Sequence, residues 1–434
     1  MTERPPFERP QLDAGAILAL GFCTAAAMWA AGYVLRLPFV QAPPPIVLAT
    51  MVVLSVGGGY FAGRHVRAAL GTGAMAGVVT MLVNTLILLS LLSGADPDGI
   101  VRRAALWVPG ALGFGALLGA IGAWFGARRP STPLDRGSWN AVFAIGLAGA
   151  TFCMMAIGGL VTSNEAGMAV PDWPRTFGSN MFLYPLSRMT GGIYYEHAHR
   201  LFGVLVGLTT LTLCLRLLMA DSRRWLKLLG IVALVMVSVQ GAIGGFRVTE
   251  ASLLLAVVHG VVGQLFLALI VSIAAFCSRR WRAFDRGRAL HVGSDRAWVV
   301  ALLGTLVGQL ALGAIVRHTG KGVLPHLAVA AAVATLAFVC GMRARSQHHE
   351  RPPLASIGAL LMVVTSLQLI LGFAALVASG ARAAQEPPTA ADVLFTTLHQ
   401  TNGALMLAAT ALLTVWTFRL VSAPEHVEAI RRPA

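Results

Sequence analysis

Residues 194–203 read YYEHAHRLFG and open a long apolar run, so Glu196, His197, His199 and Arg200 stand where the following residues belong in a membrane. Ionisable groups are expensive in hydrocarbon and mark function when they occur there. Three further histidines lie inside apolar runs: His259, His326 and His399. An imidazole is above all a metal ligand or a proton carrier. A lone histidine in a helix is most often a hydrogen-bonded core residue. Four of them in a duplicated pattern, each expected one to two turns below the outer end of its helix, point to two pairs. A pair facing across a four-helix bundle suits the two axial positions of a heme iron. Zinc is the weaker reading, because no carboxylate or thiolate completes a tetrahedral set at the second pair.

Glu196 precedes His199 by three residues and shares its helix face. Its bland reading is an i,i+4 ion pair with Arg200. Its chemical reading rests on asymmetry: where one copy of the pattern has Glu196 and Arg200, the other has Val323 and Leu327. One half looks reactive and the other cofactor-holding. Arg200 can also clamp a propionate through a bidentate contact. His197 points away from His199 around the helix and is expected to pack or to touch a loop.

These residues need helices to carry them. The chain has 434 residues, 56% of them hydrophobic and 12% charged, about half the charge of a soluble domain. Apolar runs long enough to span a bilayer occur near 14–35, 45–63, 68–93, 104–126, 138–161, 193–218, 225–246, 253–277, 297–316, 324–342, 355–379 and 392–418. The fold class is therefore all-α, a polytopic membrane protein of about twelve transmembrane helices. The formal charge of +15 is read as topology signal, with no nucleic-acid partner. Arg4, Arg9, Arg64, Arg67, Arg128, Arg129, Arg136, Arg223, Arg224, Lys227, the run from Arg279 to Arg296, Arg343, Arg345, Arg351, Arg431 and Arg432 fall on one side. The opposite loops carry far fewer, and the bias predicts cytoplasmic termini. His65, His291, His318, His348, His349 and His426 lie in loops or tails and are assigned to solvent. The five cysteines fall inside apolar runs without metal-type spacing and are read as packing residues.

An internal repeat organises the second two thirds. AIGGLVTSNEAG at 156–167 resembles ALGAIVRHTGKG at 311–322; VSVQGAIGGFRV at 237–248 resembles TSLQLILGFAAL at 365–376; AVVHGVVGQLFLAL at 256–269 resembles TTLHQTNGALMLAA at 396–409. Eight spans thus form two tandem four-helix bundles, expected to be related by a pseudo-twofold axis along the membrane normal. The expected segments are a four-helix extension of unknown role at 1–132, an N-terminal bundle at 133–280, a C-terminal bundle at 281–423 and a cytoplasmic tail at 424–434. The outer loop near 162–192 reads equally well as an ordered cap or a plain connection. Glycines at 158–160, 241–245 and 371–373 are read first as helix–helix close approach, and second as room for a flat macrocycle.

The combination of EHAHR at 196–200, GGLVTSNEAGMAVPDWP at 158–174, QGAIGGFRV at 240–248, VVHGVVGQLFLAL at 257–269, LGAIVRHTG at 312–320 and LHQTNGALMLAA at 398–409 resembles the heme A synthase family over about 138–420. The resemblance implies oxidation of a methyl group of heme O to the formyl group of heme A by successive hydroxylations. It implies a heme b cofactor between His326 and His399, a substrate heme received by His199 and His259, and Glu196 as the essential carboxylate. It also implies an external electron donor, heme O synthase as a partner, membrane lipid around the chain, and a bacterial inner membrane with both heme sites towards the outer side. The sequence departs from the family pattern in three places. No cysteine pair accompanies DWP, Thr162 and Ser163 replace an arginine, and His326 is not followed by arginine. A different class remains open: a non-catalytic heme carrier, or a b-type cytochrome passing electrons to quinone. A transporter is disfavoured because no paired broken helices occur. A prenyltransferase is disfavoured because the apolar runs hold no Asp-rich diphosphate site.

Overall fold

A computed structural model describes residues 11–89, 99–283, 287–288, 292–380 and 386–422. Arg4, Arg9, His291, Arg382, His426, Arg431, Arg432 and the tail 424–434 lie outside them, as does part of the run between Arg279 and Arg296. The helices are α1 (Ala14–Leu35), α2 (Pro44–His65), α3 (Ala69–Ile87), α4 (Gly99–Ala127), α5 (Arg136–Ser163), α6 (Gly191–Ala220), α7 (Arg224–Thr249), α8 (Leu253–Cys277), the short α9 (Arg279–Ala283), α10 (Val292–Thr319), α11 (Val323–Gln347), α12 (Pro352–Gly380) and α13 (Ala390–Leu420). Twelve of these, all but α9, are long and apolar enough to cross a membrane. The protein is a multi-pass, all-α membrane protein. α3 stops at Ile87, short of the expected 93, where Leu88 leaves helical geometry.

By density of contacts the chain divides into two compact units, Met1–Gly241 and Ala242–Ala434. This division differs from the expected segments: it joins the first four helices to α5 and α6 and cuts through α7.

In the first unit α1 packs on α2, α3, α5 and α6. The Tyr33 and Tyr194 rings stack at 5.3 Å, and the Tyr194 hydroxyl donates to the Tyr33 carbonyl at 2.6 Å. The Trp29 ring meets Phe202 edge-on, and its indole N–H donates to Asn84 Oδ1 at 3.0 Å. The extension is thus fastened to the helix that carries Glu196. Within it, α2, α3 and α4 approach backbone to backbone: a Cβ at Gly59, Gly73, Gly77 or Gly119 would come within 3 Å of a carbonyl oxygen on a neighbouring helix. This is the small-residue packing that lipid favours.

In the second unit α10, α11, α12 and α13 pack in cyclic order, with α13 returning to α10, and α8 lies against α10 and α13. Leu302, Leu306, Leu361, Leu407, Leu413 and Trp416 are among the side chains of its core. α13 starts with Thr389, whose hydroxyl accepts from the Asp392 N–H at 3.1 Å, while buried Asp392 accepts from Ser379 of α12 at 2.8 Å. A short parallel pairing ties β3 (Gly287–Arg288) to β4 (Val421–Ser422). His348, expected in solvent, is a correction: it is 8% exposed, and its ring bonds Asp295 at 3.0 Å beside Arg343. A buried carboxylate needs such partners.

Candidate functional site

The site in the first unit begins with α6. Glu196 is 3% exposed. Its Oε1 accepts from Arg200 at 2.7 Å, and its Oε2 accepts from the Val170 N–H at 2.9 Å. Arg200 donates onward to three carbonyls of the outer loop, those of Val170 (2.7 Å), Asp172 (2.6 Å) and Arg175 (3.1 Å). The ion pair of the bland reading therefore exists, and both terminal nitrogens of Arg200, the expected propionate contact, are engaged by loop and Glu196. A pair so enclosed, with its remaining valences filled by backbone, is the arrangement in which a buried charge is tolerated.

The outer loop is an ordered cap. β1 (Arg175–Thr176) and β2 (Ser179–Asn180) form a hairpin, and 3₁₀ turns follow at Met181–Leu183 and Leu186–Arg188. Phe177 and Gly178 have φ of 49° and 76°, the paired positive values of a two-residue hairpin turn. Asp172 holds that turn by accepting from their N–H groups at 2.8 and 2.7 Å. Desolvation opposes its charge, yet these N–H groups and the Arg200 charge win and set the Asp172 pKa below the ordinary carboxylate value. His197 is fully buried; its Nδ1 lies 3.2 Å from the Thr176 hydroxyl and its ring beside Tyr184. It is loop-contacting, as expected from its direction on the helix.

The four histidines share one device. Each ring lies against a glycine of the preceding helix, so that a Cβ there would meet ring Cε1: Gly158 and His199 (3.1 Å), Gly244 and His259 (2.7 Å), Gly313 and His326 (3.1 Å), Gly372 and His399 (2.8 Å). The expectation of helix–helix close approach at 158, 244 and 372 is corrected by this. The room left by the missing side chain is filled by an imidazole. All four rings are half-buried. His199 belongs to the first unit and His259 to the second, and each is seated within its own unit.

His326 and His399 come together. Their ring centroids are 6.5 Å apart and their planes cross at 78°. The depth differs from the uniform expectation: His326 sits in the first turn of α11 and His399 in the third turn of α13. They meet because α13 starts earlier relative to its histidine. A transition-metal–imidazole bond of about 2 Å puts each ring centre about 3 Å from the metal, so two trans imidazoles have centres about 6 Å apart. The observed separation of the ring centres matches that distance.

Sequence reasoning missed the amides around this couple. Gln309 Nε2 lies 3.1 Å from His326 Nδ1, and Gln368 Nε2 lies 3.2 Å from His399 Nδ1. Asn402 donates to Gln368 Oε1 at 2.7 Å. Their signal was present: Gln240, Gln309 and Gln368 each precede a histidine-seating glycine by one helical turn. Thr176 and the loop carbonyls had no such signal.

Compared with known families, residues 141–325 match the COX15-CtaA model, described as cytochrome oxidase assembly protein. The match spans most of α5, the outer cap, Glu196, His199 and His259, and stops one residue before His326. Over that segment the match agrees with the resemblance read from the sequence motifs. No curated protein matches the chain.

Proposed function

We propose that the protein is a heme A synthase of a bacterial inner membrane, oxidising a methyl group of heme O to the formyl group of heme A by successive hydroxylations. The observation that supports the reading is the His326–His399 couple at 6.5 Å, in a chain whose residues 141–325 match a cytochrome oxidase assembly family. His326 and His399 would hold a heme b, which when bound supplies one-electron redox chemistry that side chains lack. His199 and His259, in the same kind of glycine seat, would take the substrate heme. Methyl to formyl is a net oxidation, so an external oxidant takes up the electrons and water or dioxygen supplies the new oxygen atom.

The residues of the chain do the positioning. Glu196 lies one turn before His199 on the same face, and its carboxylate is held by the Val170 N–H and Arg200. A carboxylate fixed in a dry site can take or return a proton at a neighbouring substrate carbon with little reorganisation. The cap over it, held by Arg200 and by Thr176 on His197, keeps water from that face. In this reading both heme sites face the outer side, with the termini cytoplasmic.

The test is to purify the full chain from membranes that make heme O, extract its porphyrins and identify them by mass. Heme B together with heme O or heme A supports the reading. A preparation free of heme B overturns it. Heme B in a chain that never converts added heme O to heme A would instead favour a carrier or b-type cytochrome.

A further inference from the structure

We propose that the cleft between the α2–α3 turn and the linker into α5 binds the phosphate of an anionic phospholipid headgroup. The inference stands on the N-terminal extension and its linker alone and does not depend on the heme reading.

The cleft has a volume of about 220 Å³, several times the roughly 30 Å³ that one water takes in the liquid. It is lined by Arg64 at the end of α2, Arg67 in the turn, Ala69 at the start of α3, Ala127 at the end of α4, and Ser131 with two prolines of the linker. Its two sides are fastened together. The Ser131 N–H donates to the Arg64 carbonyl at 2.8 Å and the Leu134 N–H to the His65 carbonyl at 3.2 Å. Arg64 Nη2 donates to the Ser131 hydroxyl at 2.6 Å.

The lining carries charge of one sign. Two guanidinium groups face the cleft and no carboxylate does. Asp135, the acid of the linker, caps α5 instead and accepts from the Ser138 N–H at 3.0 Å. Arg64 spends a terminal nitrogen on a neutral hydroxyl, and its Nε is buried with no partner among the described residues. A cation with a buried, unmatched donor calls for an acceptor of opposite charge. α3 adds to the demand. It begins at Ala69 without a side-chain cap, so the positive end of its dipole stands at the cleft. Guanidinium donors and a helix N-terminus both suit phosphate oxygens.

Depth selects the source of that phosphate. On α4, three residues before Ala127, Trp124 is 48% exposed, and its neighbour Phe125 is 47% exposed. The Arg128 guanidinium lies 3.4 Å over the Trp124 ring. Half-exposed aromatics with an arginine folded over them mark the level where acyl chains give way to headgroups. The cleft lies at that level, where the ends of three membrane-crossing helices meet. It is also on the arginine-rich side, where anionic lipids attract basic groups. A headgroup seated there would bridge the α2–α3 turn to the linker and so tie the extension to the helix that follows it.

The experiment places the purified full chain in phosphatidylcholine nanodiscs containing phosphatidylglycerol, and counts the lipids it keeps by native mass spectrometry. The unsubstituted chain should retain phosphatidylglycerol in preference to phosphatidylcholine. Arg67 is exposed, so its substitution spares the fold. Arg67→Gln should weaken retention about fivefold, and Arg67→Glu should abolish it. Arg345→Gln removes the same charge from an exposed site in the second unit and should change nothing. Equal retention of the two lipids overturns the proposal, as do Arg67 variants that behave like the unsubstituted chain. A loss in Arg345→Gln equal to that in Arg67→Gln overturns it too, since the attraction would then be general. Displacement of the retained lipid by millimolar inorganic phosphate would assign the cleft to a soluble oxyanion and defeat the lipid reading.

Discussion

His199 and His326 occupy equivalent places in the repeat, and their surroundings could hardly differ more. Around His199 stand Glu196 and Arg200, buried or half-buried and tied to a long folded cap. Around His326 stand Val323 and Leu327, and the chain enters α11 from a tight connection in which Gly320 and Gly322 take φ of 70° and 88°. One histidine follows a buried carboxylate clasped by Arg200 and loop backbone; the other faces its partner histidine. The same glycine seat serves both. A duplicated scaffold has kept the means of holding a ring and changed only what surrounds it.

The largest effect should come from the charge that only one side has. Glu196→Ala should abolish aldehyde formation, read from extracted porphyrins, while leaving heme b in place. Loss of heme b as well would break the division between a reacting half and a holding half. Next come the seats. Gly372→Ala sets a methyl group against the His399 ring, and overpacking of this kind costs about 1–3 kcal/mol. It should lower heme b content about tenfold or more, whereas Gly158→Ala should spare heme b and lower heme O retention. Arg200→Ala removes charge-assisted bonds worth about 1.5–3 kcal/mol each at most, leaving Glu196 buried and loosening the cap. Limited proteolysis between 164 and 190 should speed up, with the second unit unaffected. Thr176→Val should cost only about 1 kcal/mol and show as a small rise in cap exchange with deuterium.

The cap also has a pH dependence of predictable sign. The folded pKa of Asp172 is depressed, so its contribution is complete above the ordinary carboxylate value and is lost as pH falls through the lower folded one. Proteolytic sensitivity of the 172–178 turn should therefore rise in strong acid, and Asp172→Asn should show it already at neutral pH.

Much of this was legible in the residues alone. Twelve spans follow from hydropathy because lipid imposes length and apolarity directly. Glu196, His197, His199 and Arg200 announced themselves by standing in such a span. The Arg200 clasp did not, since its partners are backbone carbonyls, which carry no residue identity. His348 was misplaced because a histidine at a helix end gives no hint that Asp295, far away in sequence, will turn towards it. The glycines were attributed to backbone approach, which is what they do in α2, α3 and α4. Only coordinates distinguish a glycine facing a carbonyl from one facing an imidazole.

The stacked Tyr33 and Tyr194 rings bear on any attempt to shorten the molecule. A chain begun at residue 133 would strip α1 from α6 and leave Tyr194 and Phe202, now 8% and 1% exposed, turned towards acyl chains. Tyr194 would also lose the Tyr33 carbonyl that accepts its phenolic hydrogen bond, two residues from Glu196. Trimming to the eight repeated spans therefore disturbs the very helix such an experiment would set out to isolate.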